Sequence, residues 1–191
     1  MTNFDLETHS VFRNLGGGIF ADATAASGVD PPTLPFVGFG TAWFDGDNDG
    51  DLDLAIANGH VLDNPGVFRA GARHAQRTLL FVNDGRGSFS ETRRSARPAL
   101  QPERVSRGLF VADIDNDGAL DMLITNNGQP VDLCETTAET SATPSSCVSS
   151  ARKAIETADE WSAPRGSTAT GAWCCAHLST RRVRGGNGGA Q

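Results

Sequence analysis

The stretch Trp43–Gly59, WFDGDNDGDLDLAIANG, sets aspartates at 45, 47, 49, 51 and 53, with glycine, asparagine or leucine between them, and then turns apolar. Neighbouring carboxylates repel and raise one another's pKa unless a cation sits among them. The spacing indicates which cation. Asp45, Asp47 and Asp49 stand at positions 1, 3 and 5 of a loop, Asp51 at 7 and Asp53 at 9, and Gly50 permits the sharp turn between them. Calcium loops take hard oxygen ligands in this order, from carboxylates at 1, 3, 5 and 9 and from the main-chain carbonyl at 7. Asp51 is therefore expected to contribute its carbonyl.

An EF-hand would need a bidentate glutamate at position 12 and a helix on each side. Position 12 is Ile56, and Leu52, Leu54 and Ile56 alternate with Asp53 and Ala55. Period-two alternation predicts a strand, so the loop is expected to join two strands as a hairpin. The competing reading is an Asp-, Asn- and Gly-rich turn that is merely solvated.

That alternative weakens because the pattern returns in LFVADIDNDGALDMLITNNG, Leu109–Gly128. Asp113, Asp115, Asp117 and Asp121 take positions 1, 3, 5 and 9, and Ala119 takes position 7, where only a carbonyl is needed. Two ions are expected, one per loop. The offset is 113 − 45 = 68, and upstream LFVNDGRGSFSE at Leu80–Glu91 echoes VFRNLGGGIFAD at Val11–Asp22 with 83 − 14 = 69. Each copy reads as strand, Gly-rich turn, strand, variable insert, strand, acidic loop and strand. Gly16–Gly18 lacks the helix and Lys-Ser/Thr of a phosphate loop, which leaves a hairpin turn.

About four short strands per unit at this period point to an all-β propeller, in which each repeat buries its faces against neighbours. The segments GFGTAWFDGDNDGDLDLAIANG and RGLFVADIDNDGALDMLITNNG resemble the calcium-binding FG-GAP and VCBS repeats of β-propellers, which are similar to integrin α-subunit repeats. LGGGIFADATAASGV, NGHV and SRGLFVADIDNDGALDMLITNNG look most like the cartilage-acidic-protein and UnbV-like group. The resemblance covers residues 11–133, as two repeats of about 11–78 and 79–133 after an N-terminal segment 1–10. It implies a calcium-binding adhesion, interaction or scaffolding module with a protein or carbohydrate ligand, located extracellularly or in the periplasm. The alternatives are a propeller part of a secreted carbohydrate-active hydrolase or lyase, or a truncated product without independent function. Two repeats cannot close a ring of about four to eight blades, so an incomplete propeller with open strand edges is expected.

Composition narrows the classes further. Through Leu133 there are 18 acidic and 10 basic residues, a balance of 10 − 18 = −8, and nine of the 18 lie in the two loops. Such acidity disfavours phosphate-backbone binding, which rests on Lys and Arg. Arg69, Arg73 and Arg77 fall at helical spacing, with Arg93, Arg94, Arg97, Arg104 and Arg107 nearby. They are read as a solvated face rather than a nucleic-acid surface. No apolar run is long enough for a membrane span, and MTNFDLETHSVF lacks the basic and apolar regions of a signal peptide. Among His9, His60, His74 and His177 no catalytic constellation assembles, so no enzyme is assigned; His60, in ANGHVLD, is read as structural or solvated.

The chain changes character after Leu133. The segment 134–191 is Ser- and Thr-rich and holds all four cysteines and two of the three tryptophans, a composition that predicts a disordered tail. Cys174 and Cys175 are adjacent, which does not fit zinc-site spacing. A frame-shifted origin is the sharper alternative. Back-translation with freely chosen third bases, read from the last base of the Leu133 codon, yields LRNDGGNLGNAIVVRLVGTKSNRDG. That string restarts the repeat and resembles the opening of the ASPIC and UnbV C-terminal domain.

Overall fold

The computed structural model describes residues 1–92, 100 and 102–137, together with the backbone of 172–178. These residues fold mainly into strands, in three antiparallel sheets. β1 (Phe12–Gly16) and β2 (Ile19–Asp22) form a two-stranded hairpin whose turn takes Gly16, Gly17 and Gly18 through positive φ. Glycine adopts that conformation without steric cost, in line with the hairpin expected there. Two short helical turns, α1 (Thr24–Ser27) and α2 (Asp30–Thr33), follow in the insert.

The first four-stranded sheet has the order β3 (Gly38–Phe44), β4 (Asp53–Asn58), β5 (Leu79–Asn83), β6 (Phe89–Glu91). The second runs β7 (Ser106–Ala112), β8 (Asp121–Asn126), β9 (Val131–Thr137), β10 (Ala172–Leu178). The internal repeat is written in their registers. Phe44 faces Asp53 and Trp43 faces Leu54; Ala112 faces Asp121 and Val111 faces Met122, each pair 68 residues on. The hairpins match in the same way. Asn14 faces Phe20 as Asn83 faces Phe89, and Phe12 faces Asp22 as Phe81 faces Glu91. Sequence repeat and sheet are nevertheless out of phase, because the first sheet takes β3 and β4 from one repeat and β5 and β6 from the next.

Every residue of β4 is buried, and its two faces serve different cores. Ala55 and Ala57 join Phe44, Leu80, Leu109, Met122, Ile124 and Cys134 between the two larger sheets, while Leu54 and Ile56 pack with Leu79, Phe81 and Val29 of the insert. Fully burying a Leu, Ile or Phe side chain contributes about 1.5–3 kcal/mol, so β4 anchors both layers. The sheets approach closely where β3 meets β7. A Cβ at Gly40 would lie 2.5 Å from the Leu109 amide nitrogen.

On sequence alone the strand pattern ends at Leu133, but β9 continues to Thr137, with Cys134, Glu135 and Thr136 buried, and β10 pairs along it. Pairing with β8 holds those residues extended: Met122 faces Cys134 and Leu123 faces Leu133. Cys134 is disulfide-bonded and lies opposite Cys175 in the register. The rest of the expected disordered or frame-shifted tail falls outside the described residues. Arg69, Arg73 and Arg77 do not sit on a helix, since only Pro65–Val67 makes a helical turn in that insert.

Candidate metal centre

Each acidic loop joins the first two strands of its sheet in chain order, β3 to β4 and β7 to β8, as the alternation predicts. Asn48 and Asn116 sit at φ 58° and 60°, and Gly50 and Gly118 at 95° and 90°, so the two loops take the same turn. The first aspartate organises it. Asp45 accepts from the Asp49 N–H (3.1 Å) and the Gly50 N–H (3.0 Å); Asp113 accepts from the Asp117 N–H (3.1 Å) and the Gly118 N–H (3.0 Å). The Asp49 and Asp117 carboxylates accept from the N–H two residues on, at Asp51 and Ala119.

The loop geometry gathers three carboxylates in each copy. One oxygen from each of Asp45, Asp47 and Asp49 lies within 4.8 Å of the others, and the same holds for Asp113, Asp115 and Asp117. Oxygens about 2.4 Å from a shared calcium ion are at most about 4.8 Å apart, so both triads have the span of one coordination sphere. The donors are all oxygen, which suits a hard cation and not a thiophilic one. Either loop could hold a metal ion on these grounds.

Position 9 behaves differently. Asp53 and Asp121 stand outside the triads, and each braces the loop to the next strand. Asp53 accepts from Gly46 N–H at 3.2 Å and Asn83 N–H at 2.9 Å; Asp121 accepts from Ile114 N–H and Thr136 N–H, both at 2.8 Å. Carboxylate oxygens have further lone pairs, so these bonds leave room for a ligand role. At position 7, Asp51 turns its carboxylate toward Gly85, and Ala119, which has no side-chain ligand, is buried.

Neither a protein-family model nor a curated protein matches this chain. Electrostatics marks the same two loops. Burial, joined by the charges of Asp47 and Asp49, pushes Asp53 up to about 6. Burial, with Asp115 and Asp117 adding to it, pushes Asp121 up to about 7. Asp115 is also raised, first by burial and then by Asp117. Carboxylates held this way favour a proton or a cation at neutral pH.

Three further residues serve the loops, and the sequence reading finds one of them. Asn83 and Thr136 brace position 9 through their N–H groups; the Asn83 amide also donates to Leu52 O, and the Thr136 hydroxyl to Leu120 O. Asn83 was legible as the asparagine shared with Asn14. Glu135 was not, because no strand is expected past Leu133. It is buried with Oε1 unpartnered, and burial together with Asp121, Asp115 and Asp117 pushes it up to about 7.

The remaining candidates have structural partners. His60 is buried; its Nδ1 accepts from the Leu62 N–H, its Nε2 lies 3.8 Å from Asp5 and its ring packs on Phe4, so it fastens the N-terminal segment. Arg69 pairs with Asp5, Arg73 with Glu103, Arg77 with Glu91 and Arg104 with Asp132. Arg107 stacks on Phe39 and donates to Gly59 O and His60 O. Each of these arginines thus has a partner of its own. Arg93, Arg94 and Arg97 lie outside the described residues. No helix among the described residues is long and apolar enough to cross a membrane.

Proposed function

We propose that the chain is a calcium-binding repeat protein, part of a β-propeller of the FG-GAP/VCBS kind, that serves as an adhesion or interaction module. The observation that carries this reading is the duplication of the carboxylate triad, at a 68-residue offset, on strand pairs of identical register. A solvated acidic turn has no reason to recur with the same hydrogen bonds. In this reading Asp45, Asp47, Asp49 and Asp53 are side-chain ligands of one calcium ion and Asp51 a carbonyl ligand. Asp113, Asp115, Asp117 and Asp121 serve the second ion, with Ala119 as its carbonyl donor. The ligands would come from residues that folding brings together, so binding adds to folding free energy. The partner is a protein or a carbohydrate, met by loops on the surface that the sheets share.

Calorimetry of the full chain in calcium and in chelator tests the ion. A site filled at a hundred times its Kd adds about 2.7 kcal/mol, and each kcal/mol raises the Tm of a chain this size by about 2–4 °C. A calcium-dependent rise of about 5 °C or more per filled site is expected. Unchanged melting with no heat of calcium binding refutes the assignment.

A further inference from the structure

The β1–β2 hairpin is the counterpart of β5–β6, with the same cross-strand register, yet it forms a sheet of two strands where β5–β6 completes a sheet of four. What β5 has and β1 lacks, among the described residues, is a partner on its other edge. β5 pairs there with β4: Leu54 faces Phe81, so Asp53 comes level with Val82, and the Asn83 N–H reaches Asp53. On the hairpin, Arg13 stands where Val82 does and Asn14 where Asn83 does. Asn14 already makes the same turn contact, its Oδ1 accepting from Gly16 N–H as Asn83 Oδ1 accepts from Gly85 N–H.

We infer that the outer edge of β1 is a docking site for a strand pair of the β3–β4 kind carrying its acidic loop, supplied by another repeat of this type. This rests on the repeat reading but not on the ion. The arriving strand would bring a position-9 aspartate opposite Arg13, an attraction that Val82 cannot offer Asp53, and the Asn14 N–H would donate to that aspartate. All five residues of β1 are exposed, and Phe12 and Phe20 are 49% and 61% accessible, whereas Phe81, in Phe12's place, is fully buried beneath its sheet. A groove of about 520 Å³, lined by Phe12, Arg13, Trp43 and Phe89 among others, opens beside the hairpin. An open strand edge with an apolar face is a ready template for strand addition.

The probe is a peptide of residues 38–58, used both free and tethered by a flexible Gly-Ser linker to the N-terminus of the full chain, where tethering raises its effective concentration. Amide exchange followed by NMR is expected to slow at least tenfold at Asn14 in the tethered chain, while amides of β6 are unchanged. Arg13→Asp is expected to weaken binding of the free peptide at least fivefold, and a peptide with Asp53→Arg to restore it; Arg13 is exposed, so the fold survives the change. Unslowed Asn14 exchange in the tethered chain overturns the inference, as does equal protection by a scrambled peptide. Asn14 protection that instead grows with protein concentration alone would assign the edge to a second copy and overturn the choice of occupant. Running the series in calcium and in chelator separates the two readings: pairing in both supports the edge even if calorimetry removes the ion.

Discussion

The two acidic loops share their turn, their triad and the brace at position 9, but the strand beside each loop differs. In the first sheet, Asp53 lies level with Val82 on β5 and takes the Asn83 N–H; in the second, Asp121 lies level with Glu135 on β9 and takes the Thr136 N–H. The first carboxylate therefore meets an apolar neighbour and the second a like charge. Like charges directly opposed across strands destabilise a sheet. Both members of the second pair are pushed up to about 7, whereas Asp53 rises to about 6. Equal loops thus sit in unequal sheets, and the inequality begins immediately after Leu133.

The largest expected effect tests the shared brace. Asp53→Ala leaves the Gly46 and Asn83 N–H groups without their acceptor, and Asp121→Ala does the same to Ile114 and Thr136. Each change is expected to cost about 2–4 kcal/mol in calcium, since unsatisfied buried donors cost about 1–3 kcal/mol each; denaturant unfolding measures it. In chelator the pair should separate, with Asp121→Ala costing less because it also removes the repulsion with Glu135. Equal costs in chelator would break the comparison.

Glu135→Val gives the second sheet the residue that Val82 supplies in the first. It is expected to raise stability in chelator by about 1–3 kcal/mol, because an unpartnered buried polar group is removed. A loss of stability would instead make Glu135 a working part of the second loop.

Thermal scans across pH sharpen the same contrast. Asp53 is raised from 3.8 to about 6, so the folded chain holds more protons than the unfolded one between those values, and stability falls as pH rises through that window. For Asp121 and Glu135 the window extends to about 7. His9, lowered chiefly by burial, acts in the opposite direction, removing stability as pH drops below about 6.5. In chelator the Tm is therefore expected to fall between pH 6.5 and 8, where His9 is neutral and Asp121 and Glu135 ionise; Glu135→Val should flatten the fall. In calcium the fall should vanish, because the ion takes the place of the protons.

The smallest effect is expected from Thr136→Asn, which gives the second sheet the residue type of Asn83. The gain should be about 0.5 kcal/mol, read from the shift in the denaturant midpoint.

The strands flanking the acidic loops were legible because two signals agreed: alternation at Leu52, Leu54 and Ile56, and aspartates at ligand spacing. The hairpin turn at Gly16–Gly18 was legible from glycine alone. What was hidden depended on pairing. Residues 134–137 carry no strand signal of their own and are extended because β8 holds them, and Asp53 and Asp121 act as braces because distant N–H groups reach them. Were the tail frame-shifted, the back-translation chosen above would put an arginine at 135 and an asparagine at 136, the order of Arg13–Asn14, with that asparagine where Asn83 stands in the first sheet. Sequencing the coding DNA decides between the frames.

The phase difference between sequence repeat and sheet has a consequence for modular rearrangement. A cut at the repeat boundary, between Thr78 and Leu79, would send β3–β4 and β5–β6 into different molecules and leave two ragged half-sheets. A cut after Glu91 keeps the first sheet whole. Duplication or shuffling of such units therefore yields intact sheets only when the breakpoint falls between sheets, so the structural unit is offset from the unit that the eye finds in the sequence.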